Sequence, residues 1–238
     1  MVKKYFETWS TIIARPIYFY TKLREESWKE KSLTFLLETS WILALAMALA
    51  IFVIQYITIG GTLVQGIAGV KFLIILPVLI TLALVFLGIT FLILVGVLVL
   101  VLGAAFYAVG FILHYVYIML GAVPAGRQGK GSLNRMIQYT FYSSAAALAG
   151  LFPVIFALLT RYNLLDASLF RVGYNLVYGL MVLFIYGLWA VAGRKAYGIP
   201  KWKAFAGALV PALLLLIFGL LFDKIALSKL ETWIAPLK

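Results

Sequence analysis

The chain has no cysteine and a single histidine in 238 residues. Without thiols it has no disulfide, no thiolate nucleophile and no thiolate metal site, and one imidazole cannot supply the histidine pair of a zinc protease. Charge is scarce too: 12% of residues are Asp, Glu, Lys or Arg, where a soluble domain has about 25%. The nearest approach to a phosphate-binding loop, GRQGKGS from Gly126 to Ser132, lacks the preceding strand and the full spacing, and reads as a flexible basic turn. No glycine-flanked serine nucleophile occurs, and Ser143 with Ser144 has no base beside it in the sequence. The expectation is a protein that is not an enzyme, with no catalytic residues, no cofactor and no metal site.

What the chain does have is apolar surface. Hydrophobic residues make up 65% of it, and the stretch from Phe72 to Gly126 contains no charged side chain at all. A bilayer's hydrocarbon core is about 30 Å thick and is crossed by about 20 helical residues, so such a chain is an integral membrane protein. Backbone groups in lipid must be satisfied within the element, which leaves helices or a closed barrel. Barrel strands alternate apolar and polar residues, whereas these runs are solidly apolar, so the fold class is all-α, a polytopic membrane helix bundle.

Three parts follow from the patterning. Residues 1–32 carry seven basic and four acidic side chains and form an N-terminal segment that stays on the protein. Within it Pro16 can open an amphipathic helix with Phe19, Tyr20, Leu23 and Trp28 on one face, expected to lie flat on the inner leaflet with its lysines and arginines toward lipid phosphates. Residues 33–222 are the transmembrane domain, with spans near 32–57, 136–160, 172–192 and 204–222 besides the long run. Residues 223–238 form an amphipathic tail along the interface.

The long run exceeds one straight crossing. With the N-terminus inside, an odd number of crossings places 14 basic residues inside and 6 outside, whereas two crossings give 12 and 8. Positive loops stay inside, which favours five full transmembrane helices plus one irregular or re-entrant membrane helix, broken near Pro77 or between Gly88 and Gly96, over six transmembrane helices. The formal charge of +12 then orients the protein in a cell membrane, N-terminus cytoplasmic, and does not mark a nucleic-acid partner.

Ionisable and polar groups inside spans are costly and so are the candidate sites: Glu38, Gln55, His114 and Asn175. Glu38 is close enough to the interface to reach water or a lysine, and His114 lies among Tyr107, Tyr115 and Tyr117, where an aromatic belt gathers. Gly88, Gly96, Gly103 and Gly110 recur near one helix face and are expected to let a neighbouring helix approach, within the chain, across a homodimer seam or beside a groove. SSAAALAG, Ser143 to Gly150, makes the same statement for the next span.

Pro16 followed by aromatics and then LREESWKE leading into the first span resembles the entry segment of prokaryotic members of the Yip family, the Ypt/Rab-interacting membrane proteins. GKGSLNRMIQYTFYSSAAALAG, Gly129 to Gly150, is similar to that family's basic glycine loop and following span, with Pro153 at its downstream proline. GRKAYGIPKWKAFAGALVPALLLL, Gly193 to Leu216, is similar to its final loop and last span. The resemblance implies about five spans, an inward-facing N-terminus and, in eukaryotic relatives, trafficking roles through small GTPases. This chain lacks their long N-terminal region, which puts small-GTPase binding in doubt, and no catalytic residues carry over. The expected function is a membrane scaffold or adaptor that binds membrane lipids, other membrane proteins or a second copy of itself. The alternative is a small transporter or channel with a polar mid-membrane cavity, using Glu38 and prolines 77, 153 and 211.

Overall fold

A computed structural model describes residues 2–57, 70–121 and 131–235. All regular structure among them is helical. The glycine loops expected around residues 58–69 and 122–130 lie outside the described residues. Two short helices, α1 (Val2–Ala14) and α2 (Pro16–Lys22), precede α3 (Lys31–Phe52), which ends in a π-turn over Val53–Ile57. The long helix α4 (Val70–Met119) follows. Next, α5 (Leu133–Ser143), a 3-10 segment (Ser144–Gly150) and α6 (Leu151–Arg161) form one continuous rod. Then come α7 (Ala167–Tyr197), α8 (Lys201–Phe222), a second π-turn (Asp223–Leu227) and α9 (Ser228–Ile234).

Five of these rods are long and apolar enough to cross a membrane: Lys31–Gln55, Ile74–Met119, Leu133–Arg161, Ala167–Tyr197 and Lys201–Ile234. That is the make-up of a multi-pass membrane protein. Their boundaries follow local chemistry. Ser132 caps α5 by accepting from the Arg135 amide at 3.1 Å. Gly198, at φ +68°, ends α7 in the left-handed conformation that glycine adopts without a Cβ penalty, and Arg194 and Lys195 sit in the last turn against the negative helix end. Pro200 then precedes α8, whose first turn does not need its amide.

The long run is a single helix. No break occurs at Pro77 or between Gly88 and Gly96, contrary to the irregular segment expected there; Pro77 forgoes one backbone hydrogen bond, to the carbonyl four residues earlier, without interrupting the helix. At 1.5 Å per residue the helix is about 75 Å long, far beyond a bilayer's thickness. Its contacts with the bundle begin where Phe91 meets Trp41 edge-on at 6.4 Å, continue through the partly buried Leu98 and Leu102, and become full burial at Phe106, Val109, Leu113 and Tyr117. Its most hydrophobic window is wholly unburied.

The packing of α4 corrects the expectation for its glycines. A Cβ built on Gly88, Gly96 or Gly103 would meet nothing within 4 Å, whereas on Gly110 it would lie 2.9 Å from Thr140 Oγ1 and 3.0 Å from Ile137 Cα. The three upstream glycines therefore hold no helix within the chain. SSAAALAG behaves as its composition suggests: Ser143, Ser144, Ala145 and Ala146 are buried, and α3, whose Leu43, Ala44 and Ala48 are buried too, packs against this segment.

The N-terminal segment opens a helix at Pro16, as expected, and docks on the bundle. In α1 the apolar positions Tyr5, Trp9, Ile12 and Ile13 form one stripe, and that stripe docks against the bundle. Tyr5 OH pairs with Thr39 Oγ1 at 2.9 Å, and Trp9 Nε1 donates to the Ala145 carbonyl at 3.0 Å, near the middle of the Leu133–Arg161 rod. Helix α2 stops at Lys22, and residues 23–27 run without helix along α5. Polar side chains of α5 take over the backbone groups a helix would have satisfied: Gln138 donates to Arg24 O at 3.1 Å, and Asn134 donates to Glu26 O at 2.8 Å and accepts from Trp28 N at 3.2 Å. The tail also packs on the bundle. Leu227 and Ile234 are buried with Ile54 and Phe170, and Arg161 donates to Ala235 O at 2.6 Å.

Candidate functional site

Docking of α1 against α3 leaves a cavity of about 520 Å³ between them, lined by Lys4, Tyr5, Thr8, Phe19, Glu30, Lys31, Thr34, Phe35, Glu38 and Tyr142. Its apolar wall is an aromatic cluster. Tyr5 stacks on Phe35 with centroids 4.9 Å apart, Phe35 lies 5.3 Å from Tyr142, and Phe19 meets Tyr142 edge-on at 5.0 Å. These rings are mostly buried and line the cavity together with its polar groups.

The polar wall is carried by one face of α3: Glu30, Lys31, Thr34 and Glu38 recur at the three-to-four residue spacing that stacks side chains along a helix. Lys31 is engaged with Glu26, at 2.6 Å. Glu38 makes no ion pair with a described residue. Burial pushes the Tyr5 hydroxyl up to about 12 and holds the Tyr20 hydroxyl well above its ordinary range, so both stay neutral donors that fasten the N-terminal hairpin. Tyr20 OH donates to Tyr139 O at 3.3 Å, and Tyr139 OH donates back to Tyr20 O at 3.1 Å.

Of the four polar residues singled out in the sequence, only Glu38 opens on this cavity. His114 pairs through Nδ1 with the Tyr197 hydroxyl, joining α4 to the end of α7. Asn175 donates to Asp223 Oδ1 at 3.2 Å, beside Arg171, which grips the same carboxylate with Nε at 3.0 Å and Nη2 at 2.8 Å. That fork ties α7 to the π-turn after α8 at the opposite end of the bundle. Gln55 lies in the π-turn after α3. The four do not converge, and among the described residues no three His, Asp or Glu side chains are grouped as a metal site would require.

Two further cavities, each of about 310 Å³, are apolar. One lies beneath Trp9 and Ile13, against Ala145, Phe152, Met181 and Phe184. The other lies at the far end, among Met47, Ile54, Pro153, Phe170, Tyr174 and Trp233. The sequence signal that could have found the N-terminal docking is the Tyr5, Trp9, Ile12, Ile13 stripe, which is too short to stand alone yet too apolar to face water.

No protein-family model, curated protein or solved structure matches the chain. The likeness to the Yip family therefore rests on the three motifs quoted above.

Proposed function

We propose that the protein is a non-enzymatic, Yip-like membrane scaffold or adaptor, which binds lipids and other membrane proteins through its exposed helix faces and the cavity at Glu38. The observation that carries this reading is α4. From Ile74 to about Leu100 its side chains are largely exposed, including Ile74 at 72%, Leu92 at 68% and Leu100 at 71%. Such a surface is stable only against lipid or another membrane protein. The polar side chains elsewhere are largely spent on joining helices, which favours a fixed framework over a moving one.

In this reading α4 counts as one crossing, the five rods alternate in direction, the N-terminus is cytoplasmic and the Arg171–Asp223 end faces outward. The absence of cysteine makes the topology directly testable. Lys201 and Ser168 are both exposed and lie at opposite ends of α7 and its neighbours. In intact cells Lys201→Cys should be shielded from an impermeant thiol reagent and Ser168→Cys should label. The reverse pattern would replace five crossings with six.

A transporter is the second reading, favoured by one observation: a charged residue of a spanning helix opens on a sizeable cavity. Proteoliposomes containing the purified protein should show no saturable solute flux if the scaffold reading holds. A flux that Glu38→Gln abolishes would overturn it in favour of transport.

A further inference from the structure

The cavity at Glu38 carries a more specific assignment, which rests on the lipid-binding reading. Its charges decide the class of ligand. With Lys31 engaged by Glu26, the lining offers one ammonium without an ion pair among the described residues, Lys4, and two such carboxylates, Glu30 and Glu38. An anionic headgroup would meet one attraction and two repulsions. A headgroup with a positive end and a phosphate meets complementary charges at both ends.

Its hydroxyls decide the kind of positive end. Thr8 donates its proton to Lys4 O at 2.9 Å, and Thr34 donates to Glu30 O at 3.0 Å. Thr39 donates to Phe35 O at 2.9 Å, so in its pair with Tyr5 it is the acceptor and Tyr5 the donor. Three of the four hydroxyls on the cavity, those of Thr8, Thr34 and Tyr5, have thus committed their protons and turn only lone pairs toward an occupant; the fourth belongs to Tyr142 in the aromatic wall. Together with two carboxylates this wall accepts hydrogen bonds and offers few. A primary ammonium, with three N–H donors, satisfies it; a quaternary ammonium brings charge but no donor. The aromatic wall of Tyr5, Phe19, Phe35 and Tyr142 then adds cation–π attraction to the same charge.

We propose that this cavity is a binding site for a zwitterionic phospholipid with a primary amine, phosphatidylethanolamine, its ammonium held by Glu38, Glu30 and the threonine oxygens against the aromatic wall, its phosphate on Lys4 and its acyl chains leaving along α1 and α3. The N-terminal hairpin supplies Lys4, Tyr5, Thr8 and Phe19, so the lipid bridges it to the first spanning helix.

The test is the thermal stability of the full chain in detergent with dioleoyl lipids that differ only in headgroup. Phosphatidylethanolamine at about 100 times its dissociation constant should raise Tm by about 5–10 °C. Phosphatidylcholine should do less, and phosphatidylglycerol least. Comparing lipids within each variant removes any change in basal stability. Glu38→Gln should cut the apparent affinity for phosphatidylethanolamine at least tenfold, and Lys4→Met, on the exposed side of α1, serves if the first variant does not fold. Equal shifts from the three lipids, or an undiminished preference in the variant that folds, overturn the site. Free phosphoethanolamine reproducing the full shift at the same concentrations would reassign the cavity to a soluble amine phosphate. A lost headgroup preference with no solute flux would sink this site alone, whereas a saturable flux would sink the scaffold reading and leave the lipid preference standing.

Discussion

Gly193→Ala should lower the stability of the purified protein by about 3 kcal/mol, the upper part of the range for overpacked interiors. Tyr117 of α4 is fully buried and its ring is clasped between a glycine on α7 and a glycine on α8. A Cβ on Gly193 would lie 2.3 Å from its Cζ and 2.5 Å from its hydroxyl oxygen, and one on Gly207 would lie 2.4 Å from Cε1. Separations this short require movement, yet the ring cannot retreat from one glycine without meeting the other helix. Nor can it rotate freely, since its hydroxyl lies 3.1 Å from both the Trp189 and Ala204 carbonyls. For a chain of this length the loss corresponds to a fall in Tm of about 6–12 °C. Gly207→Ala should behave similarly. Gly187→Ala, where an added Cβ meets nothing within 4 Å, is the control on the same helix and should leave Tm unchanged. Combining Gly193→Ala with Tyr117→Leu should cost less than the sum of the two changes, because the smaller side chain relieves the clash. An unaltered melt for Gly193→Ala would mean that the three helices do not meet at Tyr117.

This clasp shows where the sequence is informative and where it is not. Helix class and the five helices long and apolar enough to cross a membrane are legible because lipid imposes one rule on every backbone group, and length and hydropathy report it directly. Pairing is not legible in the same way. Small residues say that a face can be approached closely, but the approaching residue is set by topology, and neither Gly193 nor Gly207 advertises Tyr117 across 76 and 90 positions of chain. The N-terminal hairpin was obscured for a related reason. Its affinity for the bundle depends on the α5 side chains Asn134 and Gln138, which satisfy its extended backbone, so its own amphipathic pattern reads equally well as a surface helix. Among the candidate polar residues, Glu38 kept its significance because its helix neighbours Lys31 and Thr34 share its face. Asn175 did not, since its partner Asp223 stands beyond the end of α8 and a charged pair at a helix end has no local signature.

The glycines of the long helix give the complementary test. Gly110→Leu should destabilise by about 3 kcal/mol or more, because the nearest atoms to a new Cβ include Ile137 Cα, which cannot swing aside as a side-chain tip can. Leucine would force α4 and α5 apart and disturb Thr140, whose hydroxyl donates to Ile137 O at 2.9 Å in the same contact. Gly103→Leu, one heptad earlier, should instead leave the melting temperature of the monomer in detergent unchanged or slightly raised, since leucine is the better helix former and no neighbour stands within 4 Å. The contrast isolates packing from propensity, for the two substitutions are chemically identical and differ only in what they meet. It also separates two fates of the exposed part of α4. If that surface faces only lipid, Gly103→Leu is silent in bilayers as well. If a second membrane protein or a second copy docks there in the native membrane, the same substitution should weaken that association, measured by crosslinking in membranes, while the purified monomer melts as before. A destabilised monomer would show instead that α4 has a partner within the chain at Gly103.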